Sequence, residues 1–189
     1  MDDQLNGIGE APKRVEDVRF LTGSGLYIDD MSPEDMVQAV VLRSPHAHAI
    51  IQGIDTCEAQ AIPGVLCILT GQDQAAAGIG PIAPHQENGP LTGHSFRYPP
   101  RMPLALDRVR HIGEPVALIV AETRDIAWDA AESISVNYEI LPAAITIDSS
   151  LLPEAVPLSK KFKNNLCIEE AIGDRGAVVA AFKGASHIA

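Results

Sequence analysis

Between Val116 and Glu139 the spacing of apolar residues changes period twice, and no other feature constrains the fold as tightly. The run VALIVA, Val116 to Ala121, is continuously apolar and short, as a buried strand would be. TRDIAWDAAES then places Ile126, Ala127, Ala130, Ala131 and Ile134 on one face at helical spacing, flanked by Arg124, Trp128 and Glu132. Thr123 stands where an N-cap is needed. ISVNYE alternates Ile134, Val136 and Tyr138 with Ser135 and Asn137, the two-residue period of a half-exposed strand. The order strand, helix, strand is predicted, with the domain ending near Pro142.

A second group of elements precedes this one. MVQAVVLR, Met36 to Arg43, is nearly continuous in apolar residues and predicts a strand buried on both faces. Ser44 and Pro45 interrupt it before Ala49 to Ile54 resume an extended pattern. In IDTCEAQAIPGV, Asp55 can cap a short helix, Glu58 can complete a capping box, and Pro63 and Gly64 end it. VLCIL, Val65 to Leu69, is a further compact strand. From Gln74 to Pro103 the pattern collapses into prolines and glycines, which predicts a long irregular loop. The opening residues, with Gly7, Gly9, Pro12, Gly23, Gly25 and Pro33, read as an irregular arm. After Ile147 a proline-containing linker leads to GDRGAVVAAFKGASHIA, a helix capped by Asp174 with Val178 and Phe182 on one face. Ala185 to Ala189 begin an element that the sequence does not continue. The expected division is an arm over 1–33, a domain over 34–147, and a linker with the start of a further domain over 148–189. The expected class is α+β: a mixed sheet, two or three helices and a long irregular loop.

Composition narrows what such a domain can do. Hydrophobic residues make up 46% and charged residues 21%, a globular mixture. The net charge of −11 argues against a nucleic-acid partner, whose phosphates require clustered Lys and Arg. Only Lys160, Lys161 and Lys163 lie close together. The acidic start MDDQLNGIGEAPKR lacks the apolar stretch of a signal peptide. No apolar run approaches the ~20 residues of a membrane span, so a cytoplasmic protein is expected. Cys57, Cys67 and Cys167 are odd in number and form no C-x-x-C pair. With apolar neighbours around Cys57 and Cys67, buried structural thiols are expected rather than a disulfide framework, a zinc site or an iron–sulfur site.

The candidate chemistry is sparse. In RSPHAHAII, His46 and His48 would point the same way on an extended chain and could begin a metal site. No carboxylate follows before Asp55, and the spacing of His85, His94 and His111 does not ask for a shared ion. The pair is therefore read as a Ser-Pro turn feeding a strand, with one imidazole exposed and the other bonded to a neighbouring backbone group. GIGE, GSGL and GIGP lack the third glycine and the strand–helix setting of a dinucleotide fingerprint. Asp29 and Asp30, being adjacent, would face opposite ways on a strand. Glu114, before Pro115 in HIGEPVA, stands at a strand entrance where a carboxylate can bind a backbone amide, and that role is preferred to catalysis. No serine has a G-x-S-x-G setting. No catalytic, cofactor-binding or metal-ligating residue is assigned.

Taken in order, RVEDVRFLTGSGLYIDDM, VVLRSPHAHAIIQGID, AIPGVLCILTGQD, PLALDRVRHIGEPVALIVAET and AAESISVNYEILPA resemble one family. It is the large, molybdenum-bearing subunit of aerobic carbon monoxide dehydrogenases, xanthine dehydrogenases and aldehyde oxidases, matched from about Arg14 onwards. The resemblance implies the N-terminal α/β-hammerhead domain of an oxidoreductase. It implies a complete enzyme with a molybdenum–pterin cofactor, [2Fe–2S] clusters and FAD, acting on carbon monoxide, an aldehyde or an N-heterocycle. The family's cofactor loops, substrate pocket and catalytic glutamate have no counterpart here, so the chain alone is expected to be an inactive scaffold holding no cofactor. The implied partners are the molybdenum-cofactor domains of the same large subunit, an iron–sulfur subunit and a flavin subunit. Expected partner contacts are Arg14, Glu16, Asp17 and Arg19 of the arm, and His85, His94, Arg97 and Arg101 of the proline-rich loop. Both segments are long, irregular and unable to form their own core. Two other readings are a small histidine-based metal-binding protein and a stand-alone hammerhead or barrel-sandwich carrier. The carrier needs a lysine on a tight hairpin, whereas Lys13, Lys160, Lys161, Lys163 and Lys183 lie outside the strand-rich part.

Overall fold

The computed structural model describes residues 13–83, 100–159, 164–167 and 173–188. In chain order its elements are α1 (Asp17–Leu21), a 3₁₀ turn (Ile28–Asp30), β1 (Gln38–Arg43), β2 (Ala49–Asp55), α2 (Cys57–Gln60), β3 (Val65–Thr70), α3 (Gly71–Ala76), β4 (Arg108–Val109), β5 (Pro115–Ala121), α4 (Arg124–Glu132), β6 (Ser135–Ile140), α5 (Ile147–Leu151) and α6 (Arg175–Gly184). The chain divides into two compact units, Met1–Met36 and Val37–Ala189. Among the described residues, no helix is long and apolar enough to cross a membrane.

The strand, helix and strand expected around VALIVA are β5, α4 and β6. Thr123 Oγ1 accepts from the Ile126 N–H at 3.3 Å and so caps α4. β5 is the middle strand of a three-stranded sheet, β1-β5-β3, with both pairings antiparallel. Ala127, Ala130 and Ala131 of α4 pack with Ile134 against Val40, Ile68, Ala117 and Ile119. Small side chains let the helix sit close to the sheet, and complete burial of Ile119 contributes about 2–3 kcal/mol.

β6 does not return to β5. It pairs with β2 in a second antiparallel sheet, β4-β2-β6, whose core is Ala49, Ala105, Val109 and Val116. The α+β class holds, but two antiparallel sheets replace the single mixed sheet. A two-residue period tells which face of a strand is buried and not which strand lies beside it.

Several local expectations are corrected. β1 is buried on one face: Val40 is in the core, while Ala39 and Arg43 are exposed. The three cysteines are exposed, because Cys67 lies on the face of β3 opposite core residue Ile68 and Cys57 opens α2. Asp55 Oδ1 accepts from the Cys57 N–H at 3.0 Å, but the N-cap is Thr56 and no side chain caps α2. That bond holds the Asp55 carboxyl below its usual range, and Asp55 raises the Cys57 thiol. Gln74, where the pattern was expected to collapse, lies in α3. The Asp73 carboxylate accepts there from the Thr70 N–H and hydroxyl, both at 2.7 Å. α5 stands where a linker was expected, capped by Thr146 through the Ser149 N–H. α6 is capped by Asp174 as expected, through the Ala177 N–H at 3.0 Å.

The N-terminal unit has short order of its own rather than an irregular path. Phe20 stacks on Tyr27 with ring centres 5.5 Å apart, and Asp30 accepts from the Tyr27 N–H. Asp29 and Asp30 share the 3₁₀ turn instead of opposite faces of a strand. Neither α1 nor that turn buries a residue.

Candidate functional site

Two of the passages from one sheet to the other meet at one place. Ser44–His48 carries the chain from β1 to β2, and Arg110–Glu114 carries it from β4 to β5. The two turns are bonded to each other. The Ser44 N–H donates to Glu114 O at 2.9 Å, and the Gly113 N–H donates to Ser44 O at 2.8 Å. Arg43 Nη1 adds a bond to Gly113 O. Gly113 has φ +82°, a left-handed conformation that a side chain would oppose. Ser44 closes its own turn by accepting from the His46 N–H through Oγ.

His48 lies at the centre, only 2% exposed. Its Nδ1 is 3.0 Å from Pro142 O and its Nε2 is 3.2 Å from Arg108 Nη1. A carbonyl only accepts and a guanidinium only donates. The proton therefore sits on Nδ1, and the ring is neutral. Burial lowers the His48 pKa; the Pro142 bond opposes this, and the Arg108 and Arg110 guanidiniums lower it further.

Arg108, 8% exposed, also donates to Pro157 O at 3.2 Å. Arg110 donates through Nε to Leu158 O at 3.0 Å and through Nη1 to Arg108 O. Its guanidinium lies 3.7 Å from Glu114 Oε1 and 3.8 Å from Asp107 Oδ1. Glu114, 8% exposed, accepts from the Arg110 N–H and faces His111 Nδ1 at 3.6 Å. The Leu158 N–H donates to Asn165 Oδ1, whose amide donates back to Ser150 O and Val156 O. The knot thus ties the two turns to each other and to the segment leading away from the domain. A cleft of about 340 Å³ lies beside it, lined by His48, Arg110, Ile112, Ile145, Leu158 and Asn165 among others.

This arrangement uses its charged groups on itself. Glu114 takes the backbone-amide role expected of it. His48 takes the backbone bond expected of one imidazole, and with both nitrogens engaged it has no lone pair for a metal. His46 is half-buried rather than exposed, its ring edge-on to Tyr138 with centres 4.9 Å apart. Among the described residues, no group of three or more His, Cys, Asp or Glu could hold a metal. Iron–sulfur clusters need converging thiolates, yet Cys57, Cys67 and Cys167 are exposed on separate segments. A pterin or flavin phosphate needs free donors, and Arg110 is already committed. These residues do not fit any of those groups.

The expected contact residues fall as follows. Arg19 pairs with Glu16 at 3.1 Å and stands 5.1 Å over the Phe20 ring. The Asp17 N–H donates to Arg14 O, and all four arm residues are at least partly exposed. Arg101 is exposed and its carbonyl accepts from the Ile82 N–H. His85, His94 and Arg97 lie outside the described residues. Sequence reasoning missed Arg108 and Arg110. Their spacing of two along a strand entrance, with Glu114 four residues on, was the available signal.

The family model described as aldehyde oxidase and xanthine dehydrogenase, a/b hammerhead domain, matches residues 22–142. The chain is 35% identical over 170 residues to the carbon monoxide dehydrogenase large chain of Afipia carboxidovorans, covering 87% of this chain and 19% of that one. It is 35% identical over 190 residues to the nicotine 6-hydroxylase large subunit of Paenarthrobacter nicotinovorans, covering 97% and 21%. Reconstituted carbon monoxide dehydrogenase from Oligotropha carboxidovorans superposes with TM-score 0.78 at 30% identity, covering 96% of this chain and 23% of that one. The chain spans about a fifth of the length of the relatives it matches.

Proposed function

The chain belongs to the α/β-hammerhead family of aldehyde oxidases and xanthine dehydrogenases, and we propose that it is the scaffold and subunit-contact domain of a molybdopterin-dependent oxidoreductase large subunit. The observation that carries this is the knot between the sheets. His48, Arg108, Arg110 and Glu114 are spent on one another and on the carbonyls of Pro142, Pro157 and Leu158. Side chains so committed hold geometry and offer nothing to a substrate. They also fix the direction in which the chain leaves the domain, as a scaffold for further domains must.

In the complete enzyme, a molybdenum–pterin cofactor would supply the hydroxylation of an aldehyde or N-heterocycle, or the oxidation of carbon monoxide, with [2Fe–2S] clusters and FAD carrying electrons on other subunits or domains. The contribution of this chain is positional. The arm over 1–33 and the loop around Arg101 are the proposed surfaces for the iron–sulfur and flavin subunits, with Arg14, Glu16, Asp17 and Arg19 in the arm. Residues 148–189 are the proposed link towards the molybdenum-cofactor domains.

Metal analysis and turnover distinguish this role from catalysis. The isolated chain is expected to hold no molybdenum and to show no hydroxylase or carbon monoxide oxidation activity. In the assembled enzyme, Glu114→Ala should reduce the yield of assembly while leaving kcat per molybdenum unchanged. Turnover by the isolated chain, or a kcat per molybdenum that collapses in Glu114→Ala, would overturn the reading.

A further inference from the structure

A second cleft, of about 360 Å³, opens on the face of the β1-β5-β3 sheet turned away from α4. Val41, Leu69 and Leu118 form its sheet side, with Ile79, Pro103 and Leu104 opposite. Gln74 of α3 lines it and is only 6% exposed. Gln74 Oε1 accepts from the Leu104 N–H at 2.9 Å, which fixes the orientation of the amide. Its Nε2 is buried and has no hydrogen-bond partner. Folded proteins leave few buried donors unpaired, and one lining an apolar cleft calls for an acceptor from outside.

We infer that this cleft is a docking socket for the cofactor-binding remainder of the same large subunit, with Gln74 Nε2 donating to a backbone carbonyl of the seated segment. The inference rests on the reading given under Proposed function and names the face that does the work. Two observations favour polypeptide as the occupant. The apolar lining runs out to the open surface at Leu69 and Ile79, which are both exposed, further than a small ligand would cover. The matched relatives also join this fold to about four times its own length of further chain, since it covers only 19–23% of them. An extended segment supplies what the cleft lacks, an apolar side chain beside an uncharged carbonyl acceptor.

The test uses the native assembly, purified through a tag on this chain, with its components identified by peptide sequencing and molybdenum content. Hydrogen exchange over residues 76–80 and 101–106 should be about tenfold slower in the assembly than in the isolated chain. Leu69→Lys changes an exposed side chain at the rim and should leave the isolated fold intact by circular dichroism while weakening association about tenfold. Gln74→Glu keeps the acceptor for Leu104 but loses the donor, and should weaken association in the same direction. If a molybdenum-bearing assembly forms with unprotected cleft peptides and normal association of Leu69→Lys, the socket is wrong and the scaffold reading stands. If no such assembly forms, both fall. A small molecule found by native mass spectrometry to slow the same peptides without any partner would overturn the polypeptide occupant.

Discussion

A proton arriving at His48 Nε2 displaces the Arg108 hydrogen bond and sets two cations side by side. The folded-state pKa of His48 lies below its ordinary value near 6.5, so the unfolded chain takes up the proton first as pH falls. The stabilisation is thus complete above about pH 6.5 and is lost as pH drops through the lower folded-state pKa. Urea midpoints measured from about pH 7.5 to 5.5 should fall for the wild type and fall less for His48→Gln, which keeps one donor and one acceptor but does not titrate. Equal slopes for the two proteins would remove His48 from the account. Glu114→Ala probes the other half of the knot. It leaves the Arg110 N–H and guanidinium short of an acceptor and should cost about 2 kcal/mol in the isolated chain, read as a lower urea midpoint at unchanged m.

Among the elements, α3 is the most exposed to error because a glycine opens it against another segment. A Cβ built on Gly71 would stand 2.3 Å from Ala105 O, a backbone atom that cannot rotate away. Gly71→Ala should therefore destabilise by about 1–3 kcal/mol, whereas Gly53→Ala, with nothing within 4 Å, should be nearly neutral on the same thermal melt. Similar Tm values for both would mean that the 105–106 segment yields freely. The difference between α3 and α4 also shows what the sequence could reveal. α4 is legible because an N-cap, a helical apolar period and flanking strands agree around Thr123. α3 is not: Gly71-Gln72-Asp73-Gln74 is polar, and its helix depends on Thr70, Asp73 and packing below it. The knot was half legible. Glu114 and one imidazole of the His46–His48 pair read as side chains seeking backbone partners, but which histidine does so is not legible, and His48 meets Arg108 and Pro142 across sixty and ninety-four residues of chain. No local period encodes a meeting at that separation.

The molecule as a whole concentrates its stability in the second unit, where both hydrophobic cores lie. Since α1 and the 3₁₀ turn bury nothing, a chain beginning at Val37 should unfold within about 0.5 kcal/mol of the full chain in urea. A larger loss would make the arm a structural prop. The family match closes at residue 142, but the ties of Arg108 and Arg110 run on to Pro157 and Leu158, and those of Asn165 gather the same stretch. A chimera that joins this domain to a relative's downstream half at residue 142 would cut through a bonded unit and leave two arginines facing foreign backbone. Moving the splice beyond Asn165 carries the whole fastening across with the domain that built it.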